Sequence, residues 1–311
     1  MIISASRRTD IPALYGPWLL NRARQGHCLK VNPFNPSQTK QVSLRPQDVT
    51  AMVLWTKNPR PFVHGLEALQ DMGLRLLMLH TLNGYPRMLE PGVPPLARRL
   101  DTFAGVSRLL GPDKLRWRYD PILIGDATPP KHHVRSFSRI CRELNGMTRH
   151  VIVSWYTPYA KAEKRLAGLN RARGIRIWDS GRQTLSMREL APELAAIAGD
   201  NGMAITSCAM GEDLDGTGVA PGPCIDPDWI REAFDLEVPR TKDPGQRNKC
   251  RCVPSEDIGA YDTCVLGCAY CYGTSSRRAA LRAKKNHDPV GPGLHPRAQE
   301  ARTTLPLLDI T

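Results

Sequence analysis

The sequence predicts an α/β fold: a partial (β/α)6, TIM-like barrel with a cysteine-rich C-terminal extension. Three observations predict it. Six short segments rich in Ile, Val, Leu or Trp recur along residues 1–208, and each ends abruptly in polar or charged residues. Helix-like, amphipathic stretches separate them, and repeated strand–helix alternation builds a parallel sheet with helices outside. Right-handed crossovers then put the carboxyl ends of all the strands on one edge. A doubly wound open sheet is the alternative.

The strand segments, in order, are "MIISAS" (1–6), "TAMVLW" (50–55), "LRLLMLHT" (74–81), "KLRWRYD" (114–120), "HVIVSW" (150–155) and "GMAITSC" (202–208). Between the first two, "IPALYGPWLLNRARQG" places Leu14, Trp18 and Leu19 at helical spacing. "RPFVHGLEALQDMG" and "PPLARRLDTFAGVSRLLG" are amphipathic and finish at glycine, a common helix stop. "KHHVRSFSRICRELNG" and "LSMRELAPELAAIAGDNG" repeat the pattern.

Beyond residue 208 the texture changes to Gly, Pro, Asp and Cys, which reads as loop too long to be a bare connector. Residues 209–288 are expected to form a cysteine-rich region packed on the barrel mouth. It ends in a basic helix carrying Arg277, Arg278, Arg282, Lys284 and Lys285. Residues 289–311 read as an extended tail that either wraps the surface or is partly disordered.

Length and composition narrow the function classes. The chain has 311 residues with 41% hydrophobic and 23% charged, enough for a buried core. No run of about 18 apolar residues appears, which excludes a helical membrane span. "MIISASRRTD" puts its apolar residues before its charges, the wrong order for a secretory signal, so a cytoplasmic location is expected. The formal charge of +13 favours nucleic acid or an anionic small substrate as partner. The plainer reading is solubility, because the basic residues are spread along the chain.

Cysteine usage is the most specific signal. Nine cysteines in a cytoplasmic chain do not suggest a disulfide framework. Cys28 and Cys141 stand alone and are expected to be structural. The other seven lie in the last third of the chain, and clustered cytosolic cysteines bind metal or do redox chemistry. Cys264 falls four residues before Cys268, which does not suit a simple zinc pattern of separated pairs. Three thiolates at i, i+4 and i+7 in one loop suit three irons of a 4Fe–4S cluster, with the fourth iron open. Cys208, Cys224, Cys250 and Cys252 are enough for a second iron–sulfur cluster or for zinc.

"CVLGCAYC", residues 264–271, resembles the cluster motif of the radical S-adenosylmethionine (SAM) superfamily: Cys, three residues, Cys, one residue, an aromatic, Cys. Tyr270 supplies the aromatic. The chain as a whole resembles an uncharacterised bacterial family with this motif at its C-terminus. The resemblance implies a 4Fe–4S cluster on Cys264, Cys268 and Cys271, with SAM chelating the open iron. Reductive cleavage would then give methionine and a 5′-deoxyadenosyl radical for hydrogen abstraction. It also implies a reductant such as flavodoxin or ferredoxin. One departure is plain: most members carry the motif after the first strand, whereas here it follows the last.

The expected strand ends are unusually polar, and in (β/α) barrels chemistry gathers there. They supply Ser6, Arg7, Arg8, Thr9 and Asp10; then Lys57 and Asn58; His80 and Asn83; Arg118 and Asp120; and Ser154 and Tyr156. Arg8, Lys57, Asn58, Arg118 and Tyr270 are the candidate cofactor-binding residues, since Arg and Lys suit a SAM carboxylate or a substrate phosphate. Arg8 with Asp10, and Arg118 with Asp120, also suit structural ion pairs. Lys57 has no obvious local partner, and His80 suits a core histidine equally well. No catalytic residue stands out. "TKNP" and "RYDPI" resemble segments of the spore-photoproduct-lyase-like branch, which repairs DNA. Besides a radical SAM enzyme, the sequence therefore fits a metal-stabilised nucleic-acid-binding module or a DNA-repair lyase.

Overall fold

A computed structural model of the chain describes residues 1–35, 37–210, 214–295 and 298. All six expected strands form: β1 (Ile2–Ala5), β4 (Ala51–Thr56), β5 (Leu76–Thr81), β6 (Leu115–Ile122), β7 (His150–Trp155) and β8 (Ala204–Ser207). Two short strands, β9 (Ala220–Pro221) and β10 (Glu256–Asp257), extend the sheet at its two ends. The eight strands run parallel in the order β10-β1-β4-β5-β6-β7-β8-β9. Among the described residues no pairing joins β9 to β10, so strand hydrogen bonds do not close the sheet into a barrel.

Strand side chains alternate between faces with a period of two, and both faces are buried. One face carries Ile3, Met52, Leu54, Met78, Trp117 and Val153 into the main core. There they meet Trp18 and Leu19 of α2 (Gly16–Arg24) and Leu66 and Leu69 of α3 (Val63–Asp71). Phe103 and Val106 of α4 (Leu96–Leu110), Phe137 and Ile140 of α5 (Pro130–Glu143), and Leu190 and Leu194 of α7 (Ser180–Asp200) complete that layer. The opposite face carries Ile2, Val53, Leu77, Leu79 and Ile152 into a second core. Its lid is Trp229 and Ile230 of α8 (Pro227–Phe234), together with Cys208, Cys224, Cys250 and Cys252.

The loops hold more order than their composition suggests. An antiparallel hairpin, β2 (His27–Val31) with β3 (Thr39–Ser43), was not expected. Glu256 holds it against the sheet edge through ion pairs with Lys30 (2.9 Å) and Lys40. Helix α6 (Ala160–Arg173) buries only Ala162 and Leu166, so it carries little hydrophobic signal. A short helix, α1 (Ile11–Leu14), precedes α2, and the expected basic helix is α9 (Arg277–Lys285). The start of the tail packs on the body: Pro292 O accepts from Leu29 N (2.7 Å), and Gly291 O accepts from the Trp18 indole (3.0 Å). The rest of the expected tail, apart from Ala298, lies outside the described residues.

Asp257 joins the C-terminal region to β1. Its buried carboxylate accepts from the Ser4 and Ser6 hydroxyls (3.1 and 2.6 Å) and from the backbone of Arg7 (2.8 Å) and Gly259 (3.0 Å). Hydrogen bonds to a buried charge are among the stronger ones, and losing the acceptor leaves each donor unsatisfied. Asp257→Ala should lower stability by about 3 kcal/mol or more, read as a shift of the urea midpoint.

Candidate functional site

The carboxyl ends of the strands open into one cavity of about 380 Å³. Each long strand end contributes, as the parallel topology requires: Arg7 and Arg8 after β1, Lys57 after β4, Thr81 of β5, Arg118 and Asp120 of β6, and Ser154 of β7. Both cysteine sets line this same cavity. Sequence spacing separated them into two groups, and the fold brings the groups to one mouth.

The motif loop, residues 264–271, follows β10 and is fixed mainly through its backbone. Gly267 takes a positive φ of 71°, and Cys271 N donates to Cys268 O (3.1 Å). Leu89 O accepts from Ala269 N (2.9 Å), and Gly92 N donates to Leu266 O (2.9 Å). A side chain at Gly92 would stand 2.6 Å from that oxygen, so glycine is required for the approach. The Arg165 guanidinium of α6 donates to three carbonyls of this segment, those of Ala269 (3.1 Å), Thr274 (2.5 Å) and Cys271. Burial pushes the Cys264 thiol up to about 12 and the Cys268 thiol well above its ordinary value.

A polar chain ties the motif to the strand ends. The Tyr270 hydroxyl donates to the buried Glu90 carboxylate, which also pairs with Lys57 Nζ (2.9 Å) and lies 3.8 Å from Arg99. Lys57 Nζ sits 5.6 Å from the Tyr270 ring centroid. The Lys57 backbone N–H donates to Asp10 Oδ2 (2.7 Å), and Ala13 N donates to Asp10 Oδ1 (3.0 Å). Burial raises the Asp10 carboxyl to about 6, against those hydrogen bonds.

The second set is more deeply buried. Cys208, Cys224, Cys250 and Cys252 are all buried. They pack in one buried cluster with Trp229, Ile230 and Val253. The neighbouring Cys208, Cys224 and Cys250 thiols, opposed by burial and helped by Arg7, hold the Cys252 thiol well below its ordinary range. Ile225 N donates to Cys252 Sγ (3.3 Å), and Val253 N donates to Ile225 O (3.2 Å). These contacts bridge the segment after β9 to the segment before β10. Among the described residues, no group of three or more His, Cys, Asp or Glu side chains is already arranged to hold a metal ion.

The expected site residues divide clearly. Lys57, Arg118, Tyr270 and Arg8 line the cavity, and Asn58 does not. The Asn58 backbone instead donates to Thr56 Oγ1 (2.9 Å). Arg118 pairs with Asp120 and lies over the Trp55 ring (4.8 Å). Arg8 packs over Tyr261 (5.0 Å) and forms no ion pair with Asp10, whose carboxylate turns to the Lys57 and Ala13 amides. Lys57 has its partner after all, in Glu90, 33 residues away. His80 is a buried core residue stacked on Phe103, and Cys28 and Cys141 are buried in the main core. Sequence reasoning missed Glu90 and Arg165. Glu90 and Arg165 act across long sequence separations that no local pattern announces.

Fold and site together define an α/β protein with a parallel sheet and two cysteine sets at the mouth formed by its strand ends. The chain belongs to the DUF1848 family, described as a domain of unknown function, whose model matches residues 2–273. No curated protein matches it. Two solved structures of Rhizobium etli pyruvate carboxylase T882A are similar at 15% identity over 75% of this chain. The one with the allosteric activator acetyl coenzyme A has a TM-score of 0.24, and the one crystallized without it 0.23. The chain spans 24% and 27% of those two proteins. No described helix is long and apolar enough to cross a membrane.

Asp10 sets a pH dependence. Its carboxyl is raised from 3.8 to about 6, so the folded state holds its proton more tightly than the unfolded chain. The Asp10 contribution to stability is therefore fully present below 3.8 and is lost as pH rises through about 6. Wild type should lose stability relative to Asp10→Asn between pH 4 and pH 7, by about 2–3 kcal/mol, in paired urea titrations.

Proposed function

We propose that the protein is a radical SAM iron–sulfur enzyme, with Cys264, Cys268 and Cys271 holding a 4Fe–4S cluster over the strand-end cavity. The observation that carries this reading is the place of the motif loop. The resemblance puts that loop after the first strand of a partial barrel. Here it follows β10, and β10 lies parallel against β1. The strand order is what results when the motif strand is moved from the front of the chain to the back.

The donor set fits the group. Three thiols on one loop, at spacings of four and three, are soft ligands of the kind such clusters take. Burial raises the Cys264 and Cys268 thiols above their ordinary value, so loading a cluster would displace their protons. When bound, the cluster supplies the electron that cleaves SAM to methionine and a 5′-deoxyadenosyl radical for hydrogen abstraction.

The chain's own residues bind and orient. Arg165 fixes the motif backbone. Arg118, flanking Trp55 and paired with Asp120, lines the cavity, where its planar guanidinium would also reach a carboxylate or phosphate. Lys57 is neutralised by Glu90, which suits it to position Tyr270 and the motif rather than to bind an anion alone. The electron comes from an external reductant of the flavodoxin or ferredoxin kind.

A second reading has one observation in its favour. Arg277, Arg278, Arg282 and Lys285 of α9 are exposed, a basic face suited to nucleic acid. A metal-stabilised binding module, or a DNA-repair lyase, would use it. Either would show DNA binding that weakens steeply with salt.

Anaerobic reconstitution with iron and sulfide, followed by EPR of the reduced protein, tests the enzyme reading. The cluster signal should change on adding SAM, and Cys268→Ala should abolish SAM cleavage while leaving far-UV circular dichroism unchanged. A cluster signal indifferent to SAM, or normal cleavage by Cys268→Ala, would overturn it.

A further inference from the structure

A second cavity, of about 540 Å³, opens beside the first. That is the size of a small-molecule site. Arg8 and Tyr261 line both cavities. The rest of the second wall includes Lys161 of α6, Asp262 after β10, and Arg282 of α9. Among the described residues no cysteine lines it.

The charge of this wall is one-sided. Arg8 lies 5.0 Å and Lys161 5.3 Å from the Tyr261 ring centroid. The ring attracts each cation. It also sets the two within about 10 Å of each other, about the screening length in dilute salt, so they repel. Among the described residues neither of them, nor Arg282, pairs with a carboxylate. Asp262 is the one acid in the wall, and its Oδ1 already accepts from the Ser275 amide and hydroxyl (2.6 Å to the latter). Lys161 also stands in the first turn of α6, where a helix dipole disfavours a cation. Glu163 of the same turn is taken by the Tyr156 hydroxyl (2.5 Å).

A bound anion supplies what the wall lacks. A carboxylate brings one negative charge and two oxygens. A phosphate monoester brings nearly two charges and three terminal oxygens, a match for three cationic side chains. We infer that the second cavity binds the phosphate group of a small phosphomonoester, with Arg8, Lys161 and Arg282 as its charge partners. The shared Arg8 and Tyr261 wall sets that ligand beside the strand-end mouth. The site uses neither a cysteine nor SAM, so it stands whether or not the mouth carries radical chemistry.

Phosphorus NMR titration of the full chain with methyl phosphate, without iron, sulfide or SAM, is the test. Saturable binding is expected, weakened about tenfold or more in the Lys161→Gln/Arg282→Gln double variant. Both side chains are exposed, so that variant should fold, which circular dichroism checks. Arg278→Gln/Lys285→Gln removes the same charge from exposed positions of α9 outside the cavity, and should leave the affinity within about twofold. No binding to the wild type, or equal weakening in the two double variants, overturns the site. Acetate is a carboxylate, and dimethyl phosphate is the monoanionic diester found in nucleic-acid backbones. Each should displace methyl phosphate only at about tenfold higher concentration. Displacement by either at equal concentration overturns the phosphomonoester assignment.

Discussion

The molecule depends on how its sheet ends are held. β9 and β10 are two residues long and do not pair with each other, yet the cavity needs loops from both. The gap is crossed by one backbone hydrogen bond, Val253 N to Ile225 O, and by four buried thiols. On the far side of β10, Asp257 ties its strand to β1 and the residues after it with three hydrogen bonds. These two junctions decide where residues 258–273 sit, and so where the motif loop meets the strand ends. Without them, three closely spaced cysteines would be a surface loop with no cavity beneath it.

Electrostatics does the finer positioning. Glu90 is a buried carboxylate that faces Lys57, Arg99 and the Tyr270 hydroxyl. A lone buried charge is expensive, and removing one partner of such a group leaves the rest uncompensated. The arrangement therefore couples the loop after β5, the end of β4 and the motif into one unit. Arg165 couples the same loop to α6 through carbonyls, independent of which side chains the loop carries. The motif is held from two sides by groups that do not compete with the thiols for a ligand.

Much of this was legible in the sequence where the signal is local. Six strands stand where apolar runs ended in polar residues, because burial on both sheet faces demands continuous hydrophobicity. The helices α2 to α5 and α7 follow from their spacing. The β2–β3 hairpin was not legible, because its Lys30 and Lys40 answer to Glu256, more than two hundred residues away. Helix α6 has two buried side chains, Ala162 and Leu166, so no periodicity marks it. In the site, residue types were readable and pairings were not. Arg118 meets Asp120 within its own strand, as a local pattern suggests. Lys57 meets Glu90, and Asp10 meets backbone amides instead of Arg8, because these partners are chosen by strand order rather than by neighbourhood in the chain.

The contact between β10 and β1 has a consequence for biosynthesis. During translation β1 leaves the ribosome well before its β10 partner, Ser4 preceding Asp257 by 253 residues. Until residue 257 emerges, Ser4, Ser6 and the Arg7 amide have no acceptor, and one edge of β1 is open to unintended pairing. Assembly of the cysteine-lined mouth thus waits until residues 257–271 have been made. A ribosome that stops early releases a nearly complete sheet with no motif and one sticky edge, a species that quality control could tell from the finished protein by its exposed strand.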